Sequence, residues 1–219
     1  MWDNLIIRGD VTWLAESVAD NSLVAVTNGS YMKDTYPRLN SAAFVFECTK
    51  GRGCLWGSFV EHTPDAGSYQ GKLLGLMAIH LILKAVTKVS SDLTGSMHIL
   101  LDCLGALNKV KDLPPYRIPT QCSHSDILKN IMANCSNLSF SCIFSHVKAH
   151  QDDKLAYGDL PQDAQLNCQM DHLAKTAIFE ATTTQSDQTK CFPLEPLCVL
   201  LGNNKITSDK GERVWFWVH

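Results

Sequence analysis

Four polar positions of this chain have residue types that could share one site: Asn28 in Thr27-Asn28-Gly29-Ser30, Lys72 in Gln70-Gly71-Lys72-Leu73, Asp102 in Leu101-Asp102-Cys103, and Asp171 in Met170-Asp171-His172. Each is expected where a strand ends or a helix begins. Such positions project side chains toward common ground. Two of the four are carboxylates and one is an amide, and hard divalent cations take oxygen ligands of this kind. The fourth is an ammonium, which donates and cannot ligate a cation. If the four groups converge, their charges decide whether the site can hold metal.

Particular elements must bring them together. Val11 to Ala19 reads as a short helix. Leu23 to Thr27, rich in valine and followed by Asn-Gly, reads as a buried strand ending in a turn. Ala42 to Cys48 and Cys54 to Val60 are two more strands, joined by Lys50-Gly51-Arg52-Gly53. The tight spacing predicts an antiparallel meander. Ser68 opens the longest helix as its expected N-cap. Apolar residues then continue nearly all round that helix, which predicts burial. Met97 to Leu101 is a fourth strand, Cys103 to Val110 a short helix, and Pro114-Pro115 a break. Ser125 to Ala133 is helical, Phe140 to Val147 a fifth strand, and Pro161 to Ala181 a last long helix. Three antiparallel strands followed by alternating elements predict an α/β fold, a five-stranded mixed sheet with helices on both faces. Residues 1–20 read as an N-terminal extension, 21–182 as the domain, and 183–219 as a linker and tail with a possible hairpin at Gly202-Asn203-Asn204.

Composition fits an ordinary globular protein. Hydrophobic residues make up 45% and charged residues 19% of the 219, enough apolar material for a core. The net charge of -3 and pI of about 6.2 advertise no polyanion partner, so any nucleic-acid surface must be local. Nine cysteines without a C-x-x-C pair predict reduced thiols in an intracellular protein, cytoplasmic or nuclear. Cys135, Cys142, His146 and His150 superficially evoke a zinc finger, but the spacing between Cys142 and His146 is far too short for one. His80, inside the apolar helix, reads as a hydrogen-bonded core histidine. No segment has the ~20 apolar residues of a membrane span.

The motifs and their order resemble the type 1 ribonuclease H domain, most closely the version attached to reverse transcriptases of eukaryotic retroelements. The resemblance covers about residues 21–182. It is carried by Thr-Asn-Gly-Ser, Ser-Tyr-Gln-Gly-Lys-Leu-Leu, Leu-Leu-Asp-Cys-Leu-Gly-Ala-Leu, His-Val-Lys-Ala-His-Gln-Asp-Asp, and Asn167-Cys168-Gln169-Met170-Asp171-His172-Leu173-Ala174-Lys175. It implies a ribonuclease H-like fold and hydrolysis of the RNA strand of an RNA/DNA hybrid with two Mg²⁺ (or Mn²⁺) ions held by four carboxylates. Two such ions would clamp the attacking water and the leaving oxygen. Asp102 and Asp171 match two of the carboxylates, and both are the implied metal ligands. His150 matches a loop histidine that assists proton transfer or product release. Asn28 stands where the first Asp belongs, and Lys72 where the Glu belongs. No Tyr-x-Asp-Asp polymerase signature occurs, so a reverse transcriptase partner would lie outside this sequence.

The departures change the electrostatics. Four carboxylates would balance two Mg²⁺ ions, whereas Asn28, Lys72, Asp102 and Asp171 together carry one net negative charge. Two ions would leave about three positive charges unbalanced before phosphate arrives. The expected consequence is weak or absent two-metal catalysis, and a non-catalytic nucleic-acid-binding module or a decaying transposon fragment is the alternative. Lys72 either neutralises Asp102 and Asp171 in place of metal or extends into solvent. Ser30 could hold a phosphate or sugar or be a plain turn residue. Lys109, Lys111, Arg117 and Lys129 around the Pro-Pro segment are the candidate duplex contacts, with scattered surface charge as the alternative.

Overall fold

The computed structural model describes residues 5–10, 12–63, 66–90, 92–112, 118, 122–181, 200–201 and 204–205. In chain order these form β1 (Ile6–Arg8), α1 (Trp13–Ala19), β2 (Leu23–Tyr31), β3 (Leu39–Cys48), β4 (Cys54–His62), α2 (Ser68–Val89), β5 (Ser96–Leu101), α3 (Leu104–Asp112), α4 (Ser125–Ser136), β6 (Ser141–His146), α5 (Gln162–Ala181), β7 (Leu200–Leu201) and β8 (Asn204–Lys205). The main sheet runs β1-β4-β3-β2-β5-β6. The first four strands in that order pair antiparallel, and β2, β5 and β6 pair parallel.

Strand alternation builds two cores. In β3, Ala42, Phe44 and Phe46 point to one face and join Leu73, Leu76, Met77 and Ile79 of α2. Ala43 and Val45 point to the other face and meet Leu166, Met170 and Ala174 of α5. Period-two projection puts consecutive residues on opposite faces, and both faces here are covered by helix. That is why β2 and β3 read as continuous apolar runs. The first face also carries α1, α3 and α4, through Trp13, Ala106 and Ile127 among others.

Four sequence expectations are corrected. The sheet has six strands, because Ile6–Arg8 pairs with Cys54–Trp56 at the edge of β4. All three residues of β1 are exposed, so no alternation betrays them. The stretch before residue 21 is thus built into the sheet edge and, through buried Trp13, Leu14 and Val18, into the core. Asn28-Gly29 is not a turn: β2 continues through it to Tyr31, held by β3 in the register Asn28↔Ala43 and Gly29↔Ala42. Ser68 is the first helical residue of α2, the extended Gly67 is the N-cap, and no side chain caps that end. Finally, Asp171 lies midway along α5 rather than at a helix start.

The hairpin expected near Gly202 is present as β7 paired with β8. Apart from these two strands, the expected linker and tail at 183–219 lie outside the described residues, as does the Pro114-Pro115 break. No helix among the described residues is long and apolar enough to cross a membrane.

Candidate active site

Parallel pairing of β2 with β5 aligns Thr27 with Leu101. The next residues, Asn28 within β2 where its pairing with β5 stops and Asp102 just past the carboxyl end of β5, therefore emerge side by side. In open α/β sheets the crevice outside the carboxyl ends of the strands is the usual ligand site. From the first face, α2 approaches so closely that glycine is required. A Cβ on Gly29 would lie 2.3 Å from the Lys72 backbone nitrogen, and one on Gly71 would lie 2.3 Å from the Ser41 carbonyl oxygen. This contact of backbone on backbone sets Lys72 beside the strand ends. From the second face, α5 is tied down where the Ser41 hydroxyl donates to the Ala174 carbonyl at 2.6 Å. One helical turn then presents Asn167 and Asp171 to the crevice together.

Asn28, Asp102, His150 and Asp171 line one cleft, together with Ala149, Asp152, Asn167 and Cys168. The cleft encloses ≈ 10 Å³, the space of about one water molecule. The Asn28 side-chain oxygen accepts from the Gly29 N–H at 2.8 Å, and its amide nitrogen donates to the Asn167 oxygen at 3.4 Å. Lys72 does not reach for solvent. Its ammonium donates to Asp102 Oδ2 at 2.8 Å, with the two side chains only 19% and 3% exposed. Asp171 has a different partner, Lys175 on the same helix, at 2.6 Å. Two of the three carboxylates of the cleft, Asp102 and Asp171, are therefore already paired with lysines, and Asp152 is the third. Asp102 Oδ1 is buried and has no hydrogen-bond partner among the described residues.

His150 follows β6 and is exposed. Its backbone is left-handed, φ 52°, and it caps a short 3-10 turn, Gln151–Asp153. That turn also brings Asp152 to the cleft wall. Burial, followed by Asp152, pushes the neighbouring Cys168 thiol up from its ordinary value.

The duplex-contact candidates are dispersed. Ser30 sits within β2 opposite Ser41 and is 7% exposed. Lys109 is turned inward, 2.9 Å from the Cys122 sulfur and 5.4 Å from the Tyr69 ring centroid. Burial opposes its charge, but the Cys122 and Tyr69 contacts outweigh this and raise its pKa. Lys111 is exposed near the end of α3, Lys129 is half-buried on α4, and Arg117 lies outside the described residues. A larger apolar groove of ≈ 620 Å³ between α1 and α2, lined by Leu14, Leu81 and Val86 among others, gathers none of the candidate residues.

Asn167, Asp152 and Cys168 were not singled out in the sequence. Asn167 was findable: it lies four residues before Asp171 on a helix and so shares its face. Asp152 and Cys168 meet only because the turn after His150 folds back on α5, and no local pattern signals that.

The residues present do not fit two Mg²⁺ ions. Mg²⁺ demands near-octahedral oxygen and keeps several waters. Here the Asn28 oxygen is engaged by Gly29, one Asp102 oxygen faces an ammonium, and Asp171 faces another. Among the described residues, Asp102 Oδ1 is a buried anionic oxygen at the strand ends without a hydrogen-bond partner.

The architecture defines a ribonuclease H-like fold, and solved structures share it. LC11-RNase H1, isolated from compost by a metagenomic approach, aligns over 74% of this chain and 99% of its own, at 14% identity and TM-score 0.53. The protease-reverse transcriptase of prototype foamy virus aligns over 73% of this chain and 21% of its own, at 16% identity and TM-score 0.54. The separate RNase H domain of that virus aligns over 73% and 95%, at 16% identity and TM-score 0.51. No family model matches the sequence, and no curated protein matches it.

Proposed function

We propose that this chain is a ribonuclease H-type domain that engages RNA/DNA hybrid and has lost most or all two-metal cleavage. The observation that carries the reading is the Lys72–Asp102 ion pair at 2.8 Å, at the end of β5. An ammonium there occupies ground that a divalent cation would need, and it repels one by ~8 kcal/mol at 4 Å and an effective dielectric near 20, twice the value for two unit charges. Two further observations support the fold-level part: the crevice at the strand ends, and the likeness to LC11-RNase H1, which has also been solved in complex with RNA/DNA hybrid. Descent from a retroelement reverse transcriptase belongs to the same reading and rests on the sequence motifs. Asp102, Asp171 and His150 are the surviving members of the ancestral centre, and Asn28 and Lys72 its degenerate positions.

The test is rescue. Asn28→Asp keeps an oxygen for the Gly29 N–H, and Lys72→Glu removes the internal cation. The double variant is expected to cleave hybrid with Mg²⁺ or Mn²⁺ at least tenfold faster than the natural chain. Cleavage by the natural chain that already matches the double variant, and is abolished by Asp102→Ala, refutes the proposal. Gel shifts with hybrid, duplex RNA and duplex DNA test binding separately. Binding of the natural chain to hybrid is expected to survive EDTA.

A further inference from the structure

We propose that His80, Cys135 and Cys142 form a partly buried site for a thiophilic divalent cation of the zinc class. The three residues come from α2, α4 and β6, and their ligand atoms all lie within 4.8 Å of one another. Tetrahedral zinc, with bonds of about 2.3 Å to sulfur and 2.0 Å to nitrogen, places its ligands roughly 3.5–3.8 Å apart. The side chains need to close by about an ångström at most.

The histidine is prepared for this role. His80 is fully buried, and its Nδ1 lies 2.8 Å from the Leu76 carbonyl oxygen. A carbonyl only accepts, so Nδ1 carries the proton and Nε2 keeps its lone pair. That Nε2 is buried without a hydrogen-bond partner. Metal-binding histidines are oriented in this way, with the second nitrogen donating to a backbone carbonyl. Phe144, two residues from Cys142 on the same strand face, stacks on the His80 ring with centroids 6.0 Å apart and planes 13° apart. Lys84, one turn along α2, donates to Asn134 at 3.3 Å, which fixes α4 next to Cys135.

The electrostatics favour a divalent ion. Two thiolates and a neutral imidazole neutralise it fully, and a neutral complex is what a partly buried site tolerates. Thiolate with imidazole selects zinc over Mg²⁺ or Ca²⁺. Binding forms two metal–sulfur bonds and one metal–nitrogen bond and releases the two thiol protons to solvent. Cys142 pairs with Met97 at the opening end of the parallel strands, and Asp102 follows their closing end. Five residues of strand separate them by roughly 16 Å, so this site is distinct from the cleft and independent of the proposed function. The zinc-finger spacing rejected in the sequence stays rejected: the ligand that completes the pair is His80, supplied by a distant helix.

The experiment is Co²⁺ titration of the full chain, reduced and stripped of metal. The expected result is one equivalent giving sulfur-to-cobalt charge-transfer absorption, bleached by one equivalent of Zn²⁺. Cys135→Ser and Cys142→Ser are each expected to weaken that absorption. His80→Gln is expected to weaken affinity beyond the ~10–100-fold that loss of an outer partner costs. Cys48→Ser and Cys103→Ser are expected to change nothing. Absence of the absorption in the reduced natural chain, or its persistence in the Cys135→Ser/Cys142→Ser double variant, overturns the proposal. Both of these outcomes are readable even where His80→Gln fails to fold.

Discussion

Replacing Lys72 with Met tests whether the ion pair at the strand ends is structural. The contact is 2.8 Å, and Asp102 is 3% exposed. At an effective dielectric near 20 the direct attraction at that distance is about 6 kcal/mol. Desolvating both ions offsets much of it, so the pair contributes little relative to an apolar replacement of both groups. Removing one partner is different. Asp102 would remain buried and charged with neither oxygen paired, since Oδ1 already lacks a partner. Breaking a buried pair in this way costs about 3–5 kcal/mol. With a urea slope of about 2 kcal/mol/M, the unfolding midpoint should fall by roughly 1.5–2.5 M. A domain of ordinary stability survives that loss.

The assay is urea unfolding followed by circular dichroism, with the slope checked for constancy. Lys72→Met/Asp102→Leu serves as the control and should return to within about 1 kcal/mol of the natural chain. A Lys72→Met midpoint unchanged within about 0.3 M refutes the reasoning, because it would mean the ammonium is not what satisfies Asp102. A double variant as unstable as the single one refutes it differently, because it would place the cost in lost packing of the lysine stem.

Gly71→Ala would normally stabilise a helix interior by about 1 kcal/mol, yet its Cβ would meet the Ser41 carbonyl oxygen at 2.3 Å. A net loss of about 1–3 kcal/mol is expected, measured as a fall in the urea midpoint; a gain would show that α2 can move away freely. At the other end of the sheet, Lys50, then Ser22 and Arg52, hold the Asp20 carboxyl well below the ordinary carboxylate range against the opposing effect of burial. A lowered value means that the contribution is present above about pH 4 and is lost as pH falls through the folded-state value. The melting temperature should therefore fall more steeply below pH 4 in the natural chain than in Asp20→Asn, and parallel acid profiles would count against it.

Much of the fold was legible because β2 to β4 and α2 are long and strongly patterned. What escaped was either short or fixed at a distance. The exposed β1 has no alternation to read. Asn28-Gly29 carries the strongest short hairpin signal a sequence offers, but here the glycine serves the approach of α2 and the strand continues beneath it. The Asp171–Lys175 pair was implicit in its four-residue spacing. The Lys72–Asp102 pair was one of two alternatives open in the sequence, because it depends on how far one helix sinks onto the sheet. His80 and its two cysteines likewise meet only through the packing of α2 against α4 and β6.

The two lysines bear on binding as well as on catalysis. Carboxylates at a strand-end crevice repel nucleic-acid phosphates, and metal ions normally cancel that repulsion. In this chain Lys72 and Lys175 cancel it from within, at 2.8 Å and 2.6 Å from their carboxylates. Those two pairs are then close to neutral without any ion, with Asp152 as the remaining carboxylate of the crevice, and phosphate can approach at reduced electrostatic cost. Under the proposed reading, the same lysine that takes the place of a catalytic cation also removes the need for one in binding. The two properties must then move together. Asn28→Asp/Lys72→Glu should gain Mg²⁺-dependent cleavage and, in EDTA, lose affinity for hybrid, because three uncompensated carboxylates, the two introduced and Asp102 without its lysine, then face the phosphates. If the variant gains cleavage while its EDTA affinity is unchanged, duplex contact lies wholly outside the crevice, and the lysines were selected, if at all, for stability alone.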